Sequence, residues 1–179
     1  MIFSFFDPID YQGKSITDIF KNYRAYFNRV IVKYKPEVYW INGSTRPEML
    51  AHELYGNQQL YWVLLMLNDV YDPFYGWITT QDAAYDYAQQ QYPENKVVYH
   101  VDANGEKYWN LVEDPDFPRH WYDAGDTSRS HIQYIGALRA VDSLEAQSAV
   151  NEQKRKILII SEADINSFLN DMIREMEKV

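Results

Sequence analysis

The chain has 179 residues, no cysteine and a formal net charge of −9. A chain this long can form one compact domain, or a small module with flanking arms, and bury about 70% of its unfolded surface without covalent staples. The lack of cysteine excludes disulfides, thiolate nucleophiles and cysteine-ligated zinc, and the negative charge repels nucleic acid.

The opening residues Met1–Pro8 are apolar, but no basic residue precedes them and Asp7-Pro8 cuts the run short. They are expected to dock on protein as a short strand or arm rather than to act as a leader. No later stretch approaches the ~18 uninterrupted apolar residues of a membrane span, so no membrane partner is expected. Tyrosine is abundant, with 16 residues. Its apolar ring and polar tip suit surfaces that are buried only on assembly.

Residues 15–34 place Ile16, Ile19, Phe20, Tyr23, Phe27, Val30, Ile31 and Tyr34 at helical spacing, which predicts an amphipathic helix stopped by Pro36. Val38-Tyr39-Trp40-Ile41 reads as a strand, and Asn42-Gly43 as a turn. Thr45-Arg46-Pro47-Glu48 then opens a helix, with Thr45 as the expected cap. That helix ends at Tyr55-Gly56, and Asn57 caps a second one over 58–67, which is apolar all round and must be covered on several sides. Beyond Asn68-Asp69, Pro73 and Gly76 break the chain into a loop, with a short strand expected near Trp77.

A helix is predicted over 81–91. Two β-prone runs, 97–101 and 107–112, flank Asn104-Gly105 as a hairpin. Residues 113–130 read as an irregular loop and 137–153 as a helix. Lys154-Arg155-Lys156 reads as a solvated lead-in to a buried strand at 157–160. Ser161 then caps a last helix, with Ile165, Phe168, Leu169, Met172, Ile173 and Met176 on one face.

Motifs for chemistry fail. His52-Glu53 begins like a zinc-protease helix, but Gly56 stands where the second histidine is required. His100, His120 and His131 form no pair at ligand spacing, and the acidic stretch Glu113-Asp114-Pro115-Asp116 lacks the glycine of a calcium loop. There is neither a Gly-rich phosphate cradle nor a nucleophile elbow. No catalytic residue, metal or cofactor is expected.

The stretch from Tyr39 through Tyr55-Gly56-Asn57 to Asn68-Asp69 resembles a LysM module: strand, turn, helix, second helix, then a return strand. Tyr55–Met66, Asp72–Ile78, Phe5-Phe6-Asp7-Pro8, Thr17–Tyr23, Val98–Val101, Asn104–Lys107 and Asp164–Phe168 together resemble the LysM-like baseplate wedge subunits of T4-like contractile-tailed phages, the gene-product-fifty-three family. The resemblance spans nearly the whole chain. It implies a structural subunit that clamps wedge proteins together and joins adjacent wedges. It also implies assembly in the host cytoplasm, a place in the virion's tail baseplate, and neighbours that include the wedge-core heterotrimer and the sheath-initiating protein. A peptidoglycan-binding LysM module is the alternative. The Pro-Gly-Gln that closes ordinary LysM modules is replaced here by Phe74-Tyr75-Gly76-Trp77, which speaks against recognition of N-acetylglucosamine polymers.

The expected fold is therefore α+β: an N-terminal arm and amphipathic helix over 1–35, a LysM-like β-α-α-β module over 36–80, and a C-terminal region over 81–179 with a β-hairpin and helices. The candidate partner-binding residues are Trp62, Tyr71, Phe74, Tyr75 and Trp77, with Ile165, Phe168, Leu169 and Met172 as a second contact. Truncating Trp77 is expected to leave the isolated chain folded.

Overall fold

A computed structural model describes residues 8–18, 22–94 and 96–178. The apolar opening, residues 1–7, and part of the predicted first helix, residues 19–21, lie outside the described residues. The architecture is α+β, and it divides into two compact units. One joins Met1–Thr79 with Lys154–Val179; the other is Thr80–Gln153. The division does not follow the three consecutive segments expected from the sequence.

In the first unit the predicted helix over 15–34 is replaced by a hairpin and a shorter helix. Strands β1 (Pro8–Tyr11) and β2 (Lys14–Thr17) pair antiparallel, with Tyr11 opposite Lys14. Gln12 and Gly13 both take positive φ, at 53° and 74°, the geometry of a tight two-residue turn. Ile16 thereby pairs with Ile9 instead of joining a helical stripe. Helix α1 (Tyr23–Ile31) begins where the Asn22 side chain accepts from the Ala25 amide at 3.2 Å.

Strand β3 (Glu37–Trp40) precedes helix α2 (Pro47–Tyr55). Thr45 does not cap α2. Its hydroxyl donates to the Asn42 carbonyl at 3.0 Å, and the cap position falls on Arg46. Gly56, with φ 66°, closes the helix through its amide to the His52 carbonyl at 2.9 Å. Asn57 then caps a 3-10 turn, Gln58–Leu60, which runs into helix α3 (Tyr61–Leu67).

No strand forms near Trp77. The partner of β3 is β10 (Lys156–Ile159), reached only after the whole second unit, with Trp40 opposite Lys156 and Val38 opposite Leu158. The β-α-α-β order expected over 36–80 is thus completed from the far end of the chain. Helix α6 (Glu162–Met176) comes directly after β10, its Ser161 cap accepting from the Asp164 amide at 3.2 Å.

The core of this unit joins both ends of the chain. Phe27 of α1 meets Phe168 of α6 edge to face, with ring centroids 5.4 Å apart, and meets Trp62 of α3 at 6.5 Å. Leu50, Ala51, Val63, Leu64, Ile157 and Ile159 fill the space around them. The all-apolar helix α3 is covered as its composition requires. Arg29–Glu175 at 2.8 Å and Lys33–Asp171 at 3.0 Å tie the rims of α1 and α6 together.

In the second unit, helix α4 (Gln81–Gln91) is capped by Thr80, whose hydroxyl accepts from the Ala83 amide at 3.2 Å. Strand β4 (Val97–Val101) pairs with β5 (Lys107–Tyr108) across a turn in which the Asp102 carboxylate accepts from the amides of Asn104 and Glu106, each at 2.9 Å. The second arm of that hairpin is shorter than predicted. Asn110, with φ 58°, redirects the chain into β6 (Leu111–Glu113), which joins a separate sheet.

The predicted irregular loop contains β7 (His120–Asp123), flanked by β6 and by β8 (Ile132–Ile135). The predicted helix over 137–153 is split. Residues 139–142 form β9 (Arg139–Asp142) against β4, and only then does α5 (Ser143–Gln153) start. Asp142 sets that boundary by accepting from the Glu145 amide at 2.8 Å.

Candidate protein interface

The nine candidate residues do not form one surface. Trp62, Trp77, Ile165, Phe168 and Met172 are buried in the core of the first unit, and Leu169 packs partly buried against it. Within this chain these six lie in or against the core, not on the surface expected for a contact set. A side chain already enclosed by its own chain has little area left to lose to a partner. Sequence periodicity marks the face of α6 as apolar, but it does not show that α1 lies against it.

Tyr71, Phe74 and Tyr75 remain outside. Phe74 is 79% exposed, whereas Trp77, three residues on, is 2% exposed. The contrast is built into the loop after α3. Arg24 pairs with Asp69, donates to the Met66 carbonyl at 2.5 Å, and places its guanidinium 6.0 Å from the Tyr71 ring centroid. The Asp72 carboxylate accepts from the amides of Phe74 (2.9 Å) and Tyr75 (3.3 Å), and the Asp72 carbonyl accepts from Gly76 at 2.7 Å.

Glycine is required at position 76. A Cβ there would lie 2.6 Å from the Asp72 carbonyl oxygen and 2.9 Å from a Val70 methyl. The loop is then sealed from below, because the Trp77 indole N–H donates to the Thr45 carbonyl at 2.9 Å. Lys154 closes the other side by donating to the Tyr75 carbonyl at 2.5 Å. Burial pushes the Lys154 pKa down from its ordinary value, and the nearby Asp72 charge opposes that shift. The three rings therefore sit on a loop held at both ends, which lowers the ordering cost of binding.

Sequence reasoning missed this role for Lys154 and its neighbour. The basic run is not a solvated lead-in: Arg155 donates to the carbonyls of Ile41 and Gly43, both at 2.7 Å. A second exposed apolar face was also missed. On the β3–β10 ribbon, Ile157 and Ile159 turn into the core, while Val38, Trp40 and Leu158 face outward, with the Lys156 ammonium 5.9 Å from the Trp40 ring centroid. The alternation of Val38 and Trp40 is the signal that could have found it.

Among the described residues no group of three His, Cys, Asp or Glu side chains is placed to hold a metal ion, and no helix is long and apolar enough to cross a membrane. What the arrangement offers is apolar, aromatic contact area on a fixed scaffold.

Comparison with known proteins points the same way. Residues 1–175 match the family model described as base plate wedge protein 53. The chain is also similar to the baseplate wedge protein gp53 of Enterobacteria phage T4, at 53% identity over 190 residues, covering 99% of this chain and 97% of that protein.

Proposed function

We propose that this chain, which belongs to the base plate wedge protein 53 family and is a structural subunit of a phage tail baseplate wedge, joins its neighbours through the aromatic loop ending at Gly76. The observation that carries this reading is the exposure of Tyr71, Phe74 and Tyr75 on a loop otherwise tied down by Arg24, Asp72, Trp77 and Lys154. Each such ring offers about 150–250 Å² of contact surface. Three together account for a large part of the roughly 800 Å² that one partner buries in a typical specific interface.

The subunit acts without chemistry of its own. It clamps wedge proteins and links adjacent wedges by burying aromatic surface that is exposed in the isolated chain. The neighbours we infer are the wedge-core heterotrimer and the sheath-initiating protein.

The test is a triple substitution, Tyr71→Ser, Phe74→Ser and Tyr75→Ser. The isolated variant should melt within a few degrees of the parent, because none of the three side chains is enclosed. Its incorporation into wedges should fall about tenfold or more, as expected when anchor aromatics are lost. Unchanged incorporation would remove the loop from the interface.

A further inference from the structure

The second unit carries a groove that the aromatic loop does not account for. Residues of β4, β5 and α5, with Tyr92 and Trp109, line a cavity of about 230 Å³. Several of its walls are large apolar side chains left in solvent: Tyr92, Val98, Trp109 and Val150 are all exposed. Tyr99 is buried at its floor, tilted against Trp109 with centroids 5.9 Å apart. Solvating this much clustered apolar surface is unfavourable, and such clusters mark contact sites more often than chance exposure does.

The charge around the groove narrows the occupant. The chain has 26 acidic residues, yet none lines this cavity, and Lys107 supplies its single charge. The Lys107 ammonium stands 4.7 Å from the Tyr99 ring centroid. Among the described residues it has no carboxylate partner, unlike Lys96, Arg129 and Arg139 of the same unit. A basic point on an apolar wall, inside an otherwise acidic protein, is complementary to an apolar side chain with a carboxylate close by.

We propose that this groove docks a segment of another baseplate subunit in which an apolar side chain enters beside Trp109 and a neighbouring Asp or Glu pairs with Lys107. The proposal rests on the baseplate reading and adds to it a second contact, on the second unit, of defined chemistry.

The experiment places photoreactive benzoylphenylalanine at Val150 and, in a separate full-length chain, at Tyr75. Each chain is built into phage particles, and the crosslinked peptides are identified by mass spectrometry. The Val150 probe is expected to capture a peptide of another tail subunit with Asp or Glu within a few residues of an apolar one. A synthetic copy of that peptide should bind the full-length chain. Lys107→Met, which keeps the stem over Tyr99, should weaken that binding roughly two- to fivefold, and Trp109→Ala about tenfold or more.

A captured peptide without an acidic residue would overturn the proposal, as would affinity indifferent to Lys107→Met. So would silence from Val150 in particles where the Tyr75 probe crosslinks, which leaves the aromatic loop standing. Silence from both positions would overturn the groove and the loop together.

Discussion

The ammonium of Lys154 lies 2.5 Å from the main-chain carbonyl oxygen of Tyr75. The residue that returns the chain to its first compact unit therefore also holds the tip of the aromatic loop. This bond links the C-terminal part of the fold to the surface on which the proposed function depends. Lys154→Met, which keeps most of the stem, should cost only about 1 kcal/mol of stability. Amide exchange at residues 73–76 should nevertheless accelerate, and incorporation into wedges should fall. Exchange rates equal to the parent's would mean that Lys154 does not restrain the loop.

Trp77 is part of the core. Trp77→Ala removes an enclosed indole and should destabilise the isolated chain by about 3–5 kcal/mol. Trp77→Phe keeps most of the volume and loses mainly the bond to the Thr45 carbonyl, so it should cost less, about 1 kcal/mol relative to the parent. Denaturant titration of the isolated chain measures both. A Trp77→Ala chain as stable as the parent would return Trp77 to the set of interface candidates.

Asn68 acts as a short stand-in for a neighbouring strand. Its side-chain amide donates to the Leu158 carbonyl at 2.8 Å, and its side-chain oxygen accepts from the Leu158 amide at 2.7 Å. The outer edge of β10 is satisfied there without another strand. Asn68→Asp keeps the acceptor but turns a carboxylate oxygen toward the carbonyls of Leu158 and Leu64, where an N–H now points. A loss of about 1–3 kcal/mol is expected, because an acceptor is set against acceptors. Equal midpoints for the two proteins in a thermal melt would show that the amide's donor role is dispensable.

His100 gives the second unit a pH dependence. Its ring is tilted against Trp121 with centroids 4.7 Å apart, and among the described residues its buried Nδ1 has no hydrogen-bond partner. Burial lowers its pKa below the ordinary 6.5, against an opposing pull from the Glu113 charge. The folded state thus resists a proton that the unfolded chain accepts. This contribution is complete above pH 6.5 and is lost as pH falls through the lower folded value. The thermal midpoint should drop between pH 7 and pH 5, and His100→Gln should flatten that drop. Asp171 and Glu175, held below their ordinary 3.8 and 4.5 chiefly by Lys33 and Lys178, act only in more acidic solution, so the two effects separate. Parallel pH profiles for parent and variant would discard His100 as the cause.

Local signals were legible where one short segment settles its own conformation. Gly56 ends α2, Asn57 caps the 3-10 turn before α3, Ser161 caps α6, and Thr80 starts α4, each through bonds made within a few residues. The signals misled where a non-local partner took over. Ile16 fits a helical stripe equally well but pairs with Ile9, and Arg139–Asp142 leaves a helical reading because β4 offers it an edge. Tyr71, Phe74 and Tyr75 stand out in the sequence as a loop rich in aromatics, and only the structure shows their rings to be exposed. The burial of Trp77 was invisible because its cover is the Thr45 carbonyl and the core beneath it.

By itself the sequence determined an α+β chain without cysteine, with capped helices, an aromatic loop and the motifs of a baseplate wedge family. Periodicity, turn residues and caps act over a few positions, so one chain is enough to read them. The tertiary structure alone decided which greasy residues are spent inside. Strand β3 waits for β10 across an entire intervening unit, and α6 hides its apolar stripe against α1. Burial is a property of what arrives from elsewhere, and no window of sequence contains it.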